Sequence, residues 1–422
     1  MSRIAALAAL LVAFAPRATF ADEAKRPPNI VFILADDVGM ECLGCYGGTS
    51  YHTPNLDTLA REGMQFNYCF SCPECCPSRA QLMTGRYGFR TGITHNRELG
   101  NFLDPERETT VAKLLQSAGY ETGLSGKWHL ADWNKFPKVA ERQGFDRYSF
   151  WVHGEPRYWS PTIFQDGVLR TDVKGQFGPD VWNDYAIEFL RRNQPRPFFL
   201  YVPMVLVHEM LEDPPGTFTG SPGSDRHRVH SRRRFAENIE YMDKLVGELV
   251  TELNRLGLRE DTVILFSGDN GTASAHKSIL DGHPIQGGKG TMNDTSSRVP
   301  LLVSWKGTIK PGSVCDDLVD FTDFCPTFLE LAGAITAPPK KLDGVSFAPQ
   351  LRGEPGRPRE WVYVQLADDW YVRDKRWKLD NDGSLFDITT SPFAETRIPA
   401  AGMSDEAKAA KARLQNVLNH LR

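Results

Sequence analysis

The sequence predicts an α/β fold: a large mixed, mostly parallel sheet sandwiched by helices, with a small C-terminal antiparallel sheet plus a helix. Three observations predict it. Continuous apolar runs at 29–34, 197–202, 262–266 and 299–303 have the form of strands buried on both faces. Amphipathic helix patterns lie between such runs, and strands alternating with helices lead to a mostly parallel sheet. After about residue 355 the texture changes to short strands separated by turn signals.

Taken in order, the chain opens on Met1-Ser2-Arg3 and an apolar run from Ile4 to Ala15. Small residues at Thr19 and Ala21 follow, so residues 1–21 read as a signal peptide cleaved after Ala21, and the protein as exported, periplasmic or secreted. The run is too short to span a bilayer, so stable membrane insertion is not expected. Residues 22–28 form a polar tether ending in Pro27-Pro28. The run from Asn29 to Leu34 stops abruptly at Asp36 and Asp37. Thr110 to Ala118 predicts a short helix stopped by Gly119. The run 197–202 leads toward His208, and residues 211–234 predict a loop, Pro- and Gly-rich and then basic through Arg226, Arg228 and Arg232 to Arg234. Phe235, Ile239, Met242, Leu245, Val246, Leu249, Leu253 and Leu256 fall three or four apart, a helix closed by Gly257. The run 262–266 leads into Asp269 and Asn270. Strands around 361–365, 370–373, 377–379 and 384–386, then a helix over 404–421, complete the chain. The domains are therefore 22–355, catalytic, and 356–422, a small α+β unit.

The formal net charge of −4 provides no global basic field, so nucleic acid is not an expected partner. An anionic substrate would need a local cluster of cations. In open α/β sheets ligands sit beyond the carboxyl ends of the strands. Those ends carry Asp36/Asp37, His208 and Asp269/Asn270. Adjacent carboxylates raise each other's proton affinity unless a cation is near. Oxygen-only ligands suit a hard cation, Ca²⁺ or Mg²⁺, although strand-end caps also account for either pair alone. Six of the eight cysteines (Cys42, Cys45, Cys69, Cys72, Cys75, Cys76) lie close together, with Cys315 and Cys325 apart. The Cys-x-x-Cys pairs at 42/45 and 69/72 also admit a zinc ribbon.

The segment Cys75 to Arg86 concentrates the chemistry. Pro77 suits the first turn of a helix, which puts Cys75 just before a helix N-terminus, where backbone donors favour an anion. Arg79, one turn on, can add charge-assisted hydrogen bonds. Cys75-x-Pro77-Ser78-Arg79, with Leu82-x-Thr84-Gly85-Arg86 after it, resembles the signature of the sulfatase family, in the alkaline phosphatase superfamily. Pro77 and Arg79 put Cys75, not Cys76, in register with it.

The resemblance implies hydrolysis of sulfate esters of a small molecule or glycan, through formylglycine made from Cys75 by a formylglycine-generating enzyme. One hydroxyl of the hydrated aldehyde would attack sulfur and the other would expel sulfate from the covalent ester. It implies one Ca²⁺ held by Asp36, Asp37, Asp269, Asn270 and residue 75, with Arg79 as anchor. Gly126-Lys127-Trp128-His129 resembles the family's Gly-Lys-Trp-His element; in an extended segment Lys127 and His129 would share a face. Lys127 would contact nucleophile and sulfate, and His129 would hold the diol. His208 matches the family's histidine although both flanking prolines are missing, and Lys289 in Gly287-Gly288-Lys289-Gly290 matches its second lysine. Both would bind sulfate and serve the leaving oxygen. Residues 293–297 depart from the family's usual Glu-Gly-Gly, which bears on the local loop path. The alcohol is expected to meet loops 150–180, 209–232 and 272–288, with Trp151, His153, Tyr158 and Trp159 candidates for stacking on a sugar ring and His276 and His283 on surface loops. A phosphomonoester or phosphonate hydrolase on the same fold is the nearest rival, but the chain lacks the extra His and Asp set of a wide two-metal site.

Overall fold

The computed structural model describes residues 26–96, 103–131, 138–155, 157–217, 232–334 and 338–421. Residues 1–21, expected to be a signal segment, and the basic residues Arg226, His227, Arg228 and His230 lie outside them.

A ten-stranded sheet forms the centre of the larger unit. Its strands are β1 (Asn29–Ala35), β2 (Met64–Phe70), β3 (Glu121–Gly126), β4 (Arg147–Trp151), β5 (Ile163–Gln165), β6 (Val168–Arg170), β7 (Phe198–Pro203) and β8 (Thr262–Gly268). After the hairpin β9 (Lys277–Leu280) and β10 (His283–Gln286) come β11 (Arg298–Ser304) and β12 (Ser313–Asp320). The order across the sheet is β12-β2-β11-β8-β1-β7-β3-β4-β5-β6. From β8 through β4 every neighbour is parallel. The strand β11 departs from that: it runs antiparallel to both β8 and β2. A run buried on both faces carries no mark of direction, so the apolar pattern at 299–303 is blind to it.

The double burial is visible in β1. Ile30, Phe32 and Leu34 enter the hydrophobic cluster on one face of the sheet, whereas Val31, Ile33 and Ala35 enter that on the other. Successive side chains of a strand point to opposite faces, so an unbroken apolar run is what two covered faces require. The helix Arg232–Arg255 covers one face through Phe235, Ile239, Met242, Leu245, Val246, Leu249 and Leu253, and Gly257 follows in the left-handed conformation (φ 69°). The helix Val111–Ser117 covers the other, with the Thr110 hydroxyl capping the Lys113 amide.

The smaller unit is a five-stranded antiparallel meander: β13 (Val362–Leu366), β14 (Asp369–Arg373), β15 (Trp377–Asp380), β16 (Leu385–Asp387) and β17 (Thr396–Arg397). The helix Asp405–Leu421 packs on it through Ala407, Ala410, Leu414 and Leu418. The unit is not separate from the sheet above: Arg373 is buried and forms an ion pair with Asp294 beside β11.

Candidate active site

Four strand ends and one helix start meet at the carboxyl edge of the sheet. Register brings the first two together. Ala35 and Gly268 are paired across β1 and β8, so Asp36 and Asp269 leave the sheet side by side. The Asp269 amide donates to the Ala35 carbonyl at 2.9 Å, and the Asp37 amide donates to Oδ1 of Asp269 at 3.1 Å. Asp37 takes a left-handed backbone (φ 61°), which short polar side chains tolerate better than branched ones. At the end of β3, Gly126 has φ 128°, and the Lys127 amide donates to the Pro203 carbonyl at 2.6 Å, bringing the lysine next to β7.

All three carboxylates are buried, and each has a cation. Lys127 Nζ lies 2.6 Å from Asp36, Lys289 Nζ 2.6 Å from Asp37, and Arg79 2.7 Å from Asp269. Arg79 is wholly buried, also donates to the Lys127 carbonyl at 2.7 Å, and so ties the helix Cys75–Thr84 to the ends of β3 and β8. The helix includes Cys75 as its first residue instead of beginning after it, with Glu74 at the N-cap, so the Cys75 amide is among those without an intrahelical acceptor. Sγ of Cys75 lies 3.4 Å from Oδ1 of Asp36 and 3.9 Å from Oδ1 of Asp37.

The electrostatics follow from burial and these partners. Burial opposes ionisation of Asp36, but Lys127, His208, Arg79 and Lys289 overcome it and hold the carboxyl well below the usual range. Burial and the neighbouring Asp36 push Asp37 and Asp269 up. Burial and Asp269 push the Cys75 thiol up, so as a thiol it is inert near neutral pH. Burial, then Lys127, lowers His208 to about 3. Burial, Lys127 and His153 lower His129 as well.

The residues gathered here can hold a metal ion. Asp36, Asp37 and Cys75, with His208, form a group whose ligand atoms lie within 4.8 Å of one another. Asp269 and Asn270 adjoin it. Asn270 donates through Nδ2 to Asp37 at 2.8 Å, leaving a buried Oδ1 with no hydrogen-bond partner among the described residues. A buried acceptor without a donor is costly unless something binds it, and a cation is what an amide oxygen can bind. No other group of this kind occurs among the described residues, so neither Cys-x-x-Cys pair builds a zinc centre; Cys42 instead contacts Thr272 and Cys45 takes a backbone bond from its own amide to Asp57.

Other expectations need correction. β3 ends at Gly126, and His129 is left-handed (φ 56°), so a turn, not strand alternation, places Lys127 and His129. His129 borders the site with Nδ1 3.5 Å from Cys76 and its ring stacked on His153 at 4.7 Å. Trp151 and Tyr158 are buried and cannot stack on a sugar: the Trp151 indole donates to the Glu155 carbonyl and the Tyr158 hydroxyl to the His208 carbonyl. The Trp159 indole donates to the Asp213 carbonyl, while exposed His153 reaches the site through His129. His276 is buried, paired with Glu209 at 2.8 Å and stacked on Phe235, and His283 is exposed on β10 and not on a loop. Arg157, which contacts His208, was marked by no motif. Its signal is an arginine among aromatics, which becomes informative only once folded.

A sequence model of the sulfatase family matches residues 28–334. Human arylsulfatase A is 33% identical over 406 residues, covering 87% of this chain and 77% of that protein. N-acetylgalactosamine-6-sulfatase of the dog is 31% identical over 363 residues, covering 78% and 67%. Among solved structures, the crystal structure of Ps i-CgsB superposes with a TM-score of 0.77 at 27% identity, covering 94% of this chain and 92% of that one.

Proposed function

The chain belongs to the sulfatase family and is a sulfuric ester hydrolase, and from that premise we propose that it cleaves the S–O bond of a carbohydrate or aryl sulfate with formylglycine made from Cys75 and one Ca²⁺. The proposed ligands are Asp36, Asp37, Asp269, Asn270 and the side chain at 75. When present, the aldehyde hydrate supplies a hydroxyl nucleophile and the ion supplies positive field at the sulfate oxygens. Arg79 orients Asp269 and keeps it available as a ligand. Lys127 and Lys289 neutralise Asp36 and Asp37 here and are within reach of an anion at residue 75. His208 offers a hydrogen bond to sulfate or leaving oxygen, and His129, whose Nδ1 meets Cys76, the residue next to the nucleophile in sequence, would hold the diol.

The observation that carries the reading is the charge balance around Cys75. Three buried carboxylates meet Arg79, Lys127 and Lys289, so a dication would leave a surplus of two positive charges beside residue 75. A pocket with that surplus selects an anion. The relatives act on carbohydrate and other sulfates by name, which supports a sulfated glycan or aryl substrate. Export through residues 1–21 belongs to the same reading. Among the described residues no helix is long and apolar enough to cross a membrane.

The test is to express the chain with a formylglycine-generating enzyme and confirm conversion of Cys75 by peptide mass spectrometry. Sulfate and phosphate release are then compared on monoesters of the same alcohol, and on sulfated oligosaccharides. Faster release of phosphate, or turnover equal in converted and unconverted protein, would refute the proposal.

A further inference from the structure

We infer that Arg157 is a positioning residue for the sulfatase reaction: its guanidinium grips Nδ1 of His208 and so turns that histidine into a donor through Nε2. The inference rests on the sulfatase reading of the site. Nη2 of Arg157 lies 3.1 Å from Nδ1 of His208 and also contacts the Glu209 carbonyl. A guanidinium has only donors. Nδ1 also lies 3.4 Å from the Glu209 carbonyl oxygen, but that contact is longer than the 3.1 Å to the guanidinium and the same oxygen is already taken by Arg157; with Nδ1 accepting from Arg157, the ring proton sits on Nε2. A nitrogen of this ring lies within 4.8 Å of ligand atoms of Asp36, Asp37 and Cys75, so the ring borders the reacting centre.

The arginine is itself held. It is buried, with its guanidinium over the rings of Trp151 and Tyr158, 5.5 Å from each centroid. The Tyr158 hydroxyl donates to the His208 carbonyl at 2.8 Å, so two consecutive residues clamp both the backbone and the ring of His208. This clamp stands where the family's flanking prolines are absent, at Val207-His208-Glu209-Met210. The prolines restrict backbone; here side-chain contacts do the restricting. A consequence for the reaction is that His208 supplies a hydrogen bond, since giving up the Nε2 proton would leave an imidazolate.

Two measurements test it. Histidine side-chain nitrogen-15 spectra of the full chain, with the His208 signals assigned by their absence in His208→Ala, should show a protonated Nε2 and an unprotonated Nδ1. In Arg157→Ala the two tautomers should exchange. Protonated Nδ1 in the wild type, or spectra unchanged in Arg157→Ala, overturns the inference. In kinetics with 4-nitrophenyl sulfate, Arg157→Ala should lower kcat/KM by about 10–100-fold, as loss of an orienting partner does. Arg157→Gln, which keeps an N–H donor, should recover part of that. In a His208→Ala background the same Arg157→Ala change should cost less than about twofold, because its route is gone. Equal losses in both backgrounds would show a direct or general structural role and overturn the inference. Should the converted wild type release no sulfate, the functional reading fails, while the spectra still decide the tautomer.

Discussion

Replacing Gly126 with alanine should disable the enzyme while leaving it folded. Gly126 ends β3 at φ 128°, and a Cβ there would lie 2.0 Å from the Pro203 carbonyl oxygen and 2.9 Å from its carbon. Both obstacles are backbone, so no side chain can swing away. Reaching ordinary contact from 2.0 Å requires an opening of roughly 1.4 Å between the ends of β3 and β7. The bond from the Lys127 amide to that same carbonyl, now 2.6 Å, breaks in the process. Backbone strain of about 1–3 kcal/mol and a lost hydrogen bond of about 1 kcal/mol add up to a visible fall in Tm. The larger effect is on position. Lys127, now 2.6 Å from Asp36, moves by about an ångström, and displacements of that size cost on the order of 100-fold in rate. The assay is kcat/KM on 4-nitrophenyl sulfate with matched Cys75 conversion, alongside near-UV circular dichroism and Tm. Gly119→Ala is the control, because it shares the left-handed backbone (φ 91°) but a Cβ there meets nothing within 4 Å. A Gly126→Ala enzyme within about threefold of wild type would refute the assignment of Lys127 to the reaction.

The remaining expectations concern metal, charge and pH. Chelation should abolish turnover and lower Tm, and Ca²⁺ at about 100 times its Kd should restore roughly 2.7 kcal/mol of stability; an unchanged Tm argues against a resident ion. Arg79→Met should leave Asp269 buried and unpaired at a cost of about 3–5 kcal/mol, measured by denaturant unfolding; a loss below about 1 kcal/mol contradicts the buried pair described here. Burial, then Asp323 working against Arg359, raises Asp320 to about 6 from an unfolded value of 3.8. The folded state thus holds this proton more tightly, so the stability it contributes is fully present below 3.8 and is lost as pH rises through about 6. The swing is about 3 kcal/mol at most. Asp320→Asn should therefore flatten the dependence of Tm on pH between about 4 and 7; parallel profiles for the two proteins would rule the explanation out.

Much of the site was legible because its residues carry local marks. Cys75, Pro77 and Arg79 sit on one turn of helix, and their spacing points to an anion-binding helix start, while the family pattern, not the spacing, singles out Cys75 as the reactive residue. Asp36, Asp37, Asp269 and Asn270 announce themselves by ending apolar runs. Lys127 and Lys289 are different: neither stands out without the family pattern, and the buried carboxylates they meet lie far away in sequence. Arg157 was missed for the same reason, since its partner His208 is 51 residues on.

Periodicity and composition by themselves settled which faces of which segments are buried, because that is a property of a few consecutive residues and of water. They set the alternation of strand and helix, the C-terminal meander and a helix beginning close to Cys75, though not that Cys75 is its first residue. Tertiary structure alone decided the direction of β11, the burial of Trp151, Tyr158 and His276, and the pairing of each carboxylate with its cation. Those depend on register between strands, such as Ala35 against Gly268, and on which side chains arrive from elsewhere to share the low-dielectric edge of the sheet. No window of sequence contains both partners of such a contact, so only the folded chain can select them.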